Sequence, residues 1–343
     1  MNNALQVGAT IGILGGGQLG RMLSIAASRI GLRTHIFEPS TSPPASHVTD
    51  SVTTASFNDA DALRRFAADV DVITYEFENI PTSTLDILET ICPIRPGRRA
   101  LSISQDRLIE KEFLNELGLK TAPYANVTCT SEALQAANDI GTPSILKTRR
   151  MGYDGKGQIR LETKADMPGA WDTMQGAASV LEGFINFSHE ISVIAARGVD
   201  GQVACYDPSE NVHRAGILHS STVPANLSAA QRMDAIFLSA NILNALEYVG
   251  VMGVELFVTP TGFIVNEIAP RVHNSGHWTQ NGCDICQFEQ HIRAVAGWPL
   301  ADGARHSDIR MENLIGTDIE RVSELRSIPA AIHLYGKSKV KPG

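Results

Sequence analysis

The chain opens with a strand, a glycine turn, a helix and a second strand, and this order constrains the fold more than any other feature. Residues 11–14 form an apolar run, and apolar side chains then recur at helical spacing over 19–30 until Gly31 ends the pattern. Residues 33–39 have the pattern of the second strand. Strands joined through a helix pair in parallel, so the sequence predicts an α/β domain built on a parallel sheet.

The regular alternation of strands and helices changes character near residue 100. Before that point a helical segment, 59–68, precedes a strand at 71–79, and another helix follows Pro81. The later predicted helices are 104–118, 131–140, 229–248 and 287–297, and the later predicted strands are 143–148, 178–185, 190–198 and the hairpin 251–268. This mixture predicts α+β regions after the α/β opening. Short strand-like pieces from Pro299 onward predict a small C-terminal subdomain.

Length and composition exclude several classes of protein. The 343 residues predict two or three domains, and the net charge of -8 argues against a nucleic-acid partner held by a basic surface. Five cysteines, an odd number spread over a long chain, argue against a disulfide framework and favour a reducing compartment. The sequence shows no apolar run approaching the roughly 20 residues of a membrane helix and no charged start typical of a signal peptide. We therefore expect a soluble cytoplasmic protein without a membrane partner.

The first glycine turn has two interpretations. Gly15, Gly17 and Gly20 fit the pattern G-x-G-x-x-G, and Glu38 ends the next strand, where a dinucleotide fold places the acid that binds the ribose. Taken alone, this pattern indicates NAD. The same glycines also suit any phosphate or polar ligand that must approach backbone amides at a helix N-terminus, so both interpretations stay open at this point.

A second glycine-rich segment, KTRRMGYDGKGQ, favours a lid over a nucleotide. Its glycines allow successive amides to point at phosphate oxygens, and Lys147 adds a positive charge at the end of the preceding strand. It is not a Walker A motif, because no Ser or Thr follows Lys156. A plain surface hairpin would explain the glycines but not the basic residues among them. The glycines are Gly152, Gly155 and Gly157, and the basic residues are Lys147, Arg149, Arg150 and Lys156.

The predicted hairpin VMGVELFVTPTGFIVNEIAP places two carboxylates on one face. If its turn centres near Thr261, Glu255 and Glu267 lie directly opposite each other, because equal counts from the turn pair residues. Like charges across two strands destabilise a hairpin unless a cation lies between them, and hard oxygen ligands beside a phosphate substrate indicate Mg²⁺. The alternative is a register slip that turns both acids to water.

Polar side chains crowd together directly after this hairpin. Next to a triphosphate, Arg271 is suited to clamp a planar oxyanion through two hydrogen bonds, with His273 and Asn274 bonding its other oxygens. Each residue alone has an ordinary structural explanation. The grouping behind two opposed carboxylates is what indicates an anion site.

Four segments carry a resemblance to a known family. GILGGGQLGRML, TYEFENIP, KTRRMGYDGKGQ and NEIAPRVHNSGHWT together resemble the N5-carboxyaminoimidazole ribonucleotide synthase family of the ATP-grasp superfamily. The resemblance covers essentially the whole chain and implies an ATP-grasp fold in three parts, usually assembled as a homodimer. These parts are an N-terminal Rossmann-like domain over 1–105, an ATP-grasp domain over 106–296 with a mobile lid over about 120–188, and a C-terminal subdomain over 297–343.

The resemblance also implies an activity. Members are ligases of purine biosynthesis that use Mg²⁺ and ATP to convert bicarbonate to carboxyphosphate. The carboxyl group then passes to 5-aminoimidazole ribonucleotide, which leaves ADP and phosphate. The glycine turn would face this second substrate, so the NAD interpretation is dropped. The alternatives are another ATP-grasp ligase, such as a formate-using purine transformylase or a biotin carboxylase, and a nucleotide-binding sensor without turnover.

Site residues follow from the resemblance position by position. The implied ATP contacts are Arg107, Lys147, Gly152, Tyr153, Asp154, Gly155, Lys156, Gly157, Gln158, Glu182, Gly183, Phe184, Ile185, Glu190, His213, Asn266 and Glu267. The implied Mg²⁺ ligands are Glu255 and Glu267, and the implied catalytic residues at the bicarbonate and carboxyphosphate site are Arg271, His273, Asn274 and Tyr153. The implied contacts of the aminoimidazole nucleotide are Gly17, Gln18, Leu19, Glu76, Asp154, Arg271 and Lys337. Members usually continue after Lys337 with an arginine-rich segment that the sequence does not show.

Overall fold

The N-terminal part of the computed structural model, which describes residues 4–152 and 156–337, is a parallel sheet. Its strands are β1 (Thr10–Leu14), β2 (Arg33–Phe37), β3 (Ser51–Thr53) and β4 (Val72–Tyr75), in the order β3-β2-β1-β4. The helices beside them are α1 (Gln18–Arg29), α2 (Ala60–Ala68) and α3 (Thr82–Leu88). The parallel pairing confirms the expectation from the opening of the sequence. Because Leu14 pairs with Tyr75, the loops that follow β1 and β4 leave the sheet side by side.

The helix predicted over 104–118 is observed as α5 (Arg107–Glu116), which begins three residues later. A separate helix that the sequence did not predict, α4 (Arg98–Ser104), precedes it. Asp106 separates them because its backbone is extended and its side chain caps α5, accepting a hydrogen bond from the Leu108 backbone N–H at 3.1 Å. The break places Arg107 at the first position of a helix, where it points toward the site described below.

An antiparallel sheet carries the glycine-rich segment between two of its strands. Its strands are β5 (Tyr124–Val127), β6 (Ser144–Thr148), β7 (Gln158–Leu161) and β8 (Ser179–Gly183), in the order β5-β8-β6-β7. Helices α6 (Thr130–Ile140) and α7 (Met167–Thr173) share a hydrophobic core with it. This sheet lies inside the range expected for the lid, whose motion stays a prediction.

A larger sheet forms the centre of the described structure. Its strands are β9 (His189–Arg197), β10 (Val203–Cys205), β11 (Ser209–Arg214), β12 (Ile217–Val223), β13 (Gly250–Thr259), β14 (Gly262–Ala269) and β15 (Ile309–Glu312). The order is β14-β13-β9-β11-β12-β15, with β10 paired to β9. The remaining helices of the described ranges are α8 (Ala229–Ala245), α9 (Thr279–Gly282), α10 (Gln287–Ala296) and α11 (Val322–Leu325).

The C-terminal segment and the N-terminal sheet both join this centre. Strand β15 pairs with β12 and so extends the central sheet. The predicted domain boundaries remain predictions. One hydrophobic cluster contains Leu23 of α1, Ile194 of β9 and Ile292 of α10, so the helix that follows the glycine turn packs against the central sheet. In the described part of the chain, the helices are too short or too polar to cross a membrane.

Candidate active site

The hairpin β13–β14 brings Glu255 and Glu267 opposite each other, as predicted, with Thr261 in the turn and a bulge that the sequence did not predict. Thr259 pairs with Gly262, so the turn is centred between Pro260 and Thr261 rather than at Thr261. A regular hairpin around that turn would pair Glu255 with the residue before Glu267. A bulge inserts Asn266 as an extra residue of β14 and restores the Glu255–Glu267 pair.

The two carboxylates differ in their surroundings. Burial and the neighbouring Glu267 raise the pKa of Glu255 to about 7. Burial also opposes ionisation of Glu267, but Arg107 and Lys147 outweigh it and hold the pKa of Glu267 below its usual value. The Arg107 Nη1 atom lies 3.1 Å from Glu267 Oε2. Glu267 therefore has a cationic partner in Arg107, whereas the protein only partly compensates the negative charge of Glu255.

The residues of the hairpin fit a divalent cation. Glu255 is 14% exposed and its Oε2 accepts a 3.2 Å hydrogen bond from the Asn266 amide, which leaves the oxygen of that amide available as a further ligand. In the described ranges these carboxylates form a pair, not a cluster of three or more metal-binding side chains. Mg²⁺ is commonly held by one or two carboxylates together with substrate phosphates, so a pair is sufficient.

Two lysines, one from β6 and one from α5, bind the buried Glu182 of β8. Lys147 Nζ lies 2.9 Å from Glu182 Oε2, and Lys111 Nζ lies 3.2 Å from Glu182 Oε1. Lys111 is 2% exposed, and burial lowers its pKa. Lys111 was missed in the sequence because its partner lies far along the chain. Beyond β8, Arg160 stacks over the Phe184 ring at 4.5 Å, beside the segment 182–185 expected at the adenine.

Glu190 and His213 lie on adjacent strands on the same side of the hairpin. His213 Nδ1 is 2.9 Å from Glu190 Oε2, where the register between β11 and β12 shifts because His219 of β12 is bulged. Burial opposes protonation of His213, but the bond to Glu190 and the charge of Glu255 outweigh it and raise the pKa of His213. The structure thus brings together the residues expected at the ribose and the expected metal ligands.

A small cavity joins the basic residues to the hairpin. It has a volume of about 50 Å³, and its lining includes Arg107, Glu110, Gly152, Glu267 and Glu78. Asp106, which the sequence did not single out, binds Arg149 through both carboxylate oxygens at 2.9 and 2.7 Å. The predicted flap residues Tyr153, Asp154 and Gly155 lie outside the described residues. Lys156 and Gly157 follow them, and Gln158 begins β7.

The glycine turn donates its backbone N–H groups to two acidic side chains. Glu76 accepts from Gly17 and, at 2.5 Å, from Gly20, while Glu38 accepts from Gly16 at 3.0 Å. Burial raises the pKa of Glu76 despite these bonds. A pyrophosphate would need the same amides and would meet two carboxylates, which is a physical reason why the NAD interpretation fails. Gln18 and Leu19 begin α1 beside Glu76.

The polar cluster after the hairpin is anchored on both sides. Arg271 donates to Glu78 from Nε at 2.6 Å and from Nη2 at 3.0 Å. His273 Nδ1 lies 2.8 Å from Ser275 Oγ and its Nε2 lies 3.5 Å from Glu255 Oε1. Burial and Arg271 lower the pKa of His273 to about 4, so this ring is neutral at physiological pH.

Asn274 and Lys337, two further residues of the predicted sites, lie in different surroundings. The Oδ1 atom of Asn274 is buried and, in the described ranges, has no hydrogen-bond partner, which is typical of a group that meets a ligand. Lys337 is exposed at the end of the described chain, next to Gly336, which lies against Arg21 of α1. The tail therefore reaches the helix that follows the glycine turn.

Comparison with known proteins identifies first the class and then the family. A model of the ATP-grasp domain matches residues 112–288, and a model of the ribonucleotide synthetase preATP-grasp domain matches residues 8–105. The fold is that of an ATP-grasp enzyme. N5-carboxyaminoimidazole ribonucleotide synthases of Brucella melitensis biotype 1 and Bacillus subtilis are 51% and 39% identical, over 99% and 98% of this chain and 95% and 89% of theirs. The chain belongs to the N5-carboxyaminoimidazole ribonucleotide synthase family.

Solved structures agree with this assignment. The Staphylococcus aureus N5-carboxyaminoimidazole synthetase complexed with ADP is 36% identical with a TM-score of 0.95, over 99% of this chain and 92% of that one. The Aspergillus clavatus N5-carboxyaminoimidazole synthase in complex with ADP and 5-aminoimidazole ribonucleotide is 31% identical with a TM-score of 0.92, over 98% and 92%. The ATP-grasp fold expected from the sequence is confirmed.

Proposed function

We propose that the chain is a ligase of purine biosynthesis that carboxylates 5-aminoimidazole ribonucleotide. ATP and bicarbonate give carboxyphosphate and ADP, and the amine of the nucleotide then takes the carboxyl group and releases phosphate. The observation that carries the proposal is the position of Arg271. Its guanidinium binds Glu78, two residues after Glu76 of the glycine-turn site, and its backbone follows β14, the strand that carries Glu267, so it connects the two proposed substrate sites.

The nucleotide side of the site would hold ATP and Mg²⁺. Lys147, Arg107 and the glycine-rich flap would bind the phosphates, and Glu190 with His213 would bind the ribose. Glu255 and Glu267 would hold Mg²⁺, with Asn266 beside them. Bound there, the ion would supply neutralisation of the charge that develops on the transferred phosphoryl group. Arg107 already neutralises part of Glu267, which keeps that carboxylate ionised for its role.

The acceptor side would bind bicarbonate and the aminoimidazole nucleotide. Arg271, His273 and Asn274 would surround the bicarbonate, and the buried Asn274 Oδ1 atom, which has no donor among the described residues, would accept from the bicarbonate O–H. His273 Nδ1 faces the Ser275 backbone N–H, which places the ring proton on Nε2 as a hydrogen-bond donor. The nucleotide would lie along Gly17, Gln18, Leu19 and Glu76, with Lys337 at its phosphate and Asp154 at the junction of the substrates.

The lid and the assembly are further parts of the proposal. Closure of the segment over about 120–188, including Tyr153 of the flap, would exclude water from carboxyphosphate and hold the amine close to it. We also propose that the protein forms a cytoplasmic homodimer. The apolar residues Met233 and Phe237 of α8, which are 43% and 64% exposed, offer a contact surface for it. Light scattering of the purified chain tests the dimer.

The decisive experiment measures ADP release with Mg²⁺-ATP and bicarbonate, with and without 5-aminoimidazole ribonucleotide. We expect strong stimulation by the nucleotide and transfer of labelled bicarbonate carbon to the product. Arg271→Ala should abolish carboxylation while ADP binding stays nearly intact. Stimulation by formate or by biotin instead of the nucleotide would refute the proposed substrate and leave the ATP-grasp assignment standing.

A further inference from the structure

Glu78 forms the ion pair that fixes the position of Arg271. The two side chains meet through two parallel hydrogen bonds, from Nε to Oε2 at 2.6 Å and from Nη2 to Oε1 at 3.0 Å, and they are 28% and 19% exposed. A third hydrogen bond runs from Arg271 Nη1 to the Val272 carbonyl at 3.2 Å. A guanidinium has five N–H groups, so two of them, one on each Nη atom, are without partners among the described residues.

The segment that carries Glu78 is itself held in place. Gln105, at the end of α4, donates from Nε2 to the carbonyl oxygens of Glu78 and Ile80, at 2.7 Å each. Arg271 follows β14 directly, and its backbone N–H donates to Ala269 at 2.8 Å. The ion pair therefore links the loop after β4 to the loop after β14, which are the loops that carry the two proposed substrate sites.

Competing carboxylates make this fixation necessary. Arg271 interacts electrostatically with Glu267 and Glu76 as well as with Glu78. Glu267 already contacts Arg107, and Glu76 already accepts the N–H groups of the glycine turn. A mobile guanidinium would turn toward either of these carboxylates and cover the place of an anionic substrate. The paired geometry with Glu78 prevents that rotation, because it fixes the plane of the guanidinium as well as its distance.

We propose that Glu78 is a positioning residue that holds the Arg271 guanidinium so that its two remaining N–H groups face bicarbonate and carboxyphosphate. This inference rests on the proposed function, in which Arg271 binds that anion. The side chain is ordered before the substrate arrives, so binding does not require its immobilisation. Glu78 acts only through Arg271 and does not touch the reacting atoms.

The test compares Glu78→Gln with the wild-type enzyme in steady-state assays that vary bicarbonate and ATP separately. Glutamine keeps the size of the side chain but replaces one accepting oxygen by a donor, so it cannot accept from both nitrogens of Arg271. We expect the KM for bicarbonate to rise about tenfold to hundredfold, because the variant loses a hydrogen bond to a charged group. The KM for ATP should stay within about twofold. Glu78→Asp, which retains both oxygens on a shorter side chain, should give an intermediate KM and replaces the glutamine variant if that variant does not fold.

Asp207→Asn is the matched control. Asp207 also binds arginines, Arg305 at 2.7 Å and Arg232 at 3.0 Å, but it belongs to neither proposed substrate site. Its loss should leave both KM values unchanged. An unchanged or lowered KM for bicarbonate in both Glu78 variants overturns the inference, and the lowered value would mean that Glu78 occupies the anion's own place. A parallel loss of ATP and bicarbonate affinity also overturns it.

Failure of the inference and failure of the proposed function give different results. If Arg271→Ala abolishes bicarbonate-dependent ADP release while both Glu78 variants behave as wild type, only the role of Glu78 is refuted. If Arg271→Ala retains that activity, the proposed function of Arg271 is wrong whatever the Glu78 variants do.

Discussion

Replacing Glu76 by glutamine tests how the glycine turn is held. Glu76 is 7% exposed, and each of its oxygens accepts one backbone N–H, from Gly17 and from Gly20. Glutamine offers one accepting oxygen, so one N–H group at the start of α1 would face the amide NH₂ instead. The loss of a charged hydrogen bond costs about 1.5–3 kcal/mol, and a buried N–H without a partner adds about 1–3 kcal/mol. Relief of carboxylate burial offsets part of this, so we expect a loss of about 2–4 kcal/mol in unfolding free energy.

Urea unfolding of wild type and Glu76→Gln measures this loss, and Glu38→Gln is the control. Glu38 accepts from Gly16 at 3.0 Å but is only half-buried, so its replacement should cost less than about 1 kcal/mol. Hydrogen exchange at the Gly17 and Gly20 amides should accelerate in Glu76→Gln alone. An unfolding free energy within about 0.5 kcal/mol of wild type, a typical surface effect, would refute the reasoning, because it would mean that the carboxylate charge does not hold the turn.

Three further predictions concern pH, a buried ion pair and the metal. Burial lowers the pKa of His291 to about 3, below its value near 6.5 in the unfolded chain. The unfolded state therefore binds more protons, and the unfolding free energy falls as the pH drops below about 6.5. Urea unfolding between pH 8 and 5.5 measures this pH dependence, which should be weaker in His291→Asn. Lys111→Met leaves buried Glu182 with one cationic partner instead of two. We expect a loss of about 3–5 kcal/mol in unfolding free energy and weaker ADP binding, measured by calorimetry. Wild-type values of both would contradict the role of this ion pair. Chelation of divalent cations should abolish ADP release, with recovery on addition of Mg²⁺ in wild type but not in Glu255→Gln; full activity in chelator would refute the metal role of the hairpin.

Local patterns predicted the elements of the site better than its long-range contacts. The glycine turn, the glycine-rich segment and the hairpin could be located from the sequence because turn residues and strand periodicity act over a few positions. The partners of these elements could not, since Glu76 is 59 positions from Gly17 and Glu78 is 193 positions from Arg271. One local signal was available, because Glu78 lies two residues after Glu76 in the same extended segment.

Two local predictions differ in detail from the structure, and the structure supplies the physical reasons. The helix expected over 104–118 begins only at Arg107, because Asp106 caps α5 and binds Arg149 and so keeps the preceding residues out of the helix. The regular two-residue turn at Pro260 and Thr261 would pair Glu255 with Asn266, and a bulge that inserts Asn266 into β14 restores the predicted pair with Glu267. Bulges leave no clear pattern in a single sequence, so the Glu255–Glu267 pair and the turn near Thr261 were predicted but the bulge at Asn266 was not.

The bulge also determines which changes in chain length the hairpin can accept. Eleven residues separate Glu255 from Glu267, an odd number, whereas opposed residues around a two-residue turn are separated by an even number. Deletion of Asn266 would therefore keep the strand pairs on both sides and remove only the amide beside the carboxylates. Loss of one residue from β13 would instead shift its partners and turn alternate side chains to the opposite face. In a scan of single-residue deletions along the hairpin, we therefore expect loss of Asn266 to preserve the fold but alter the chemistry. Loss of a residue from β13 should disrupt both.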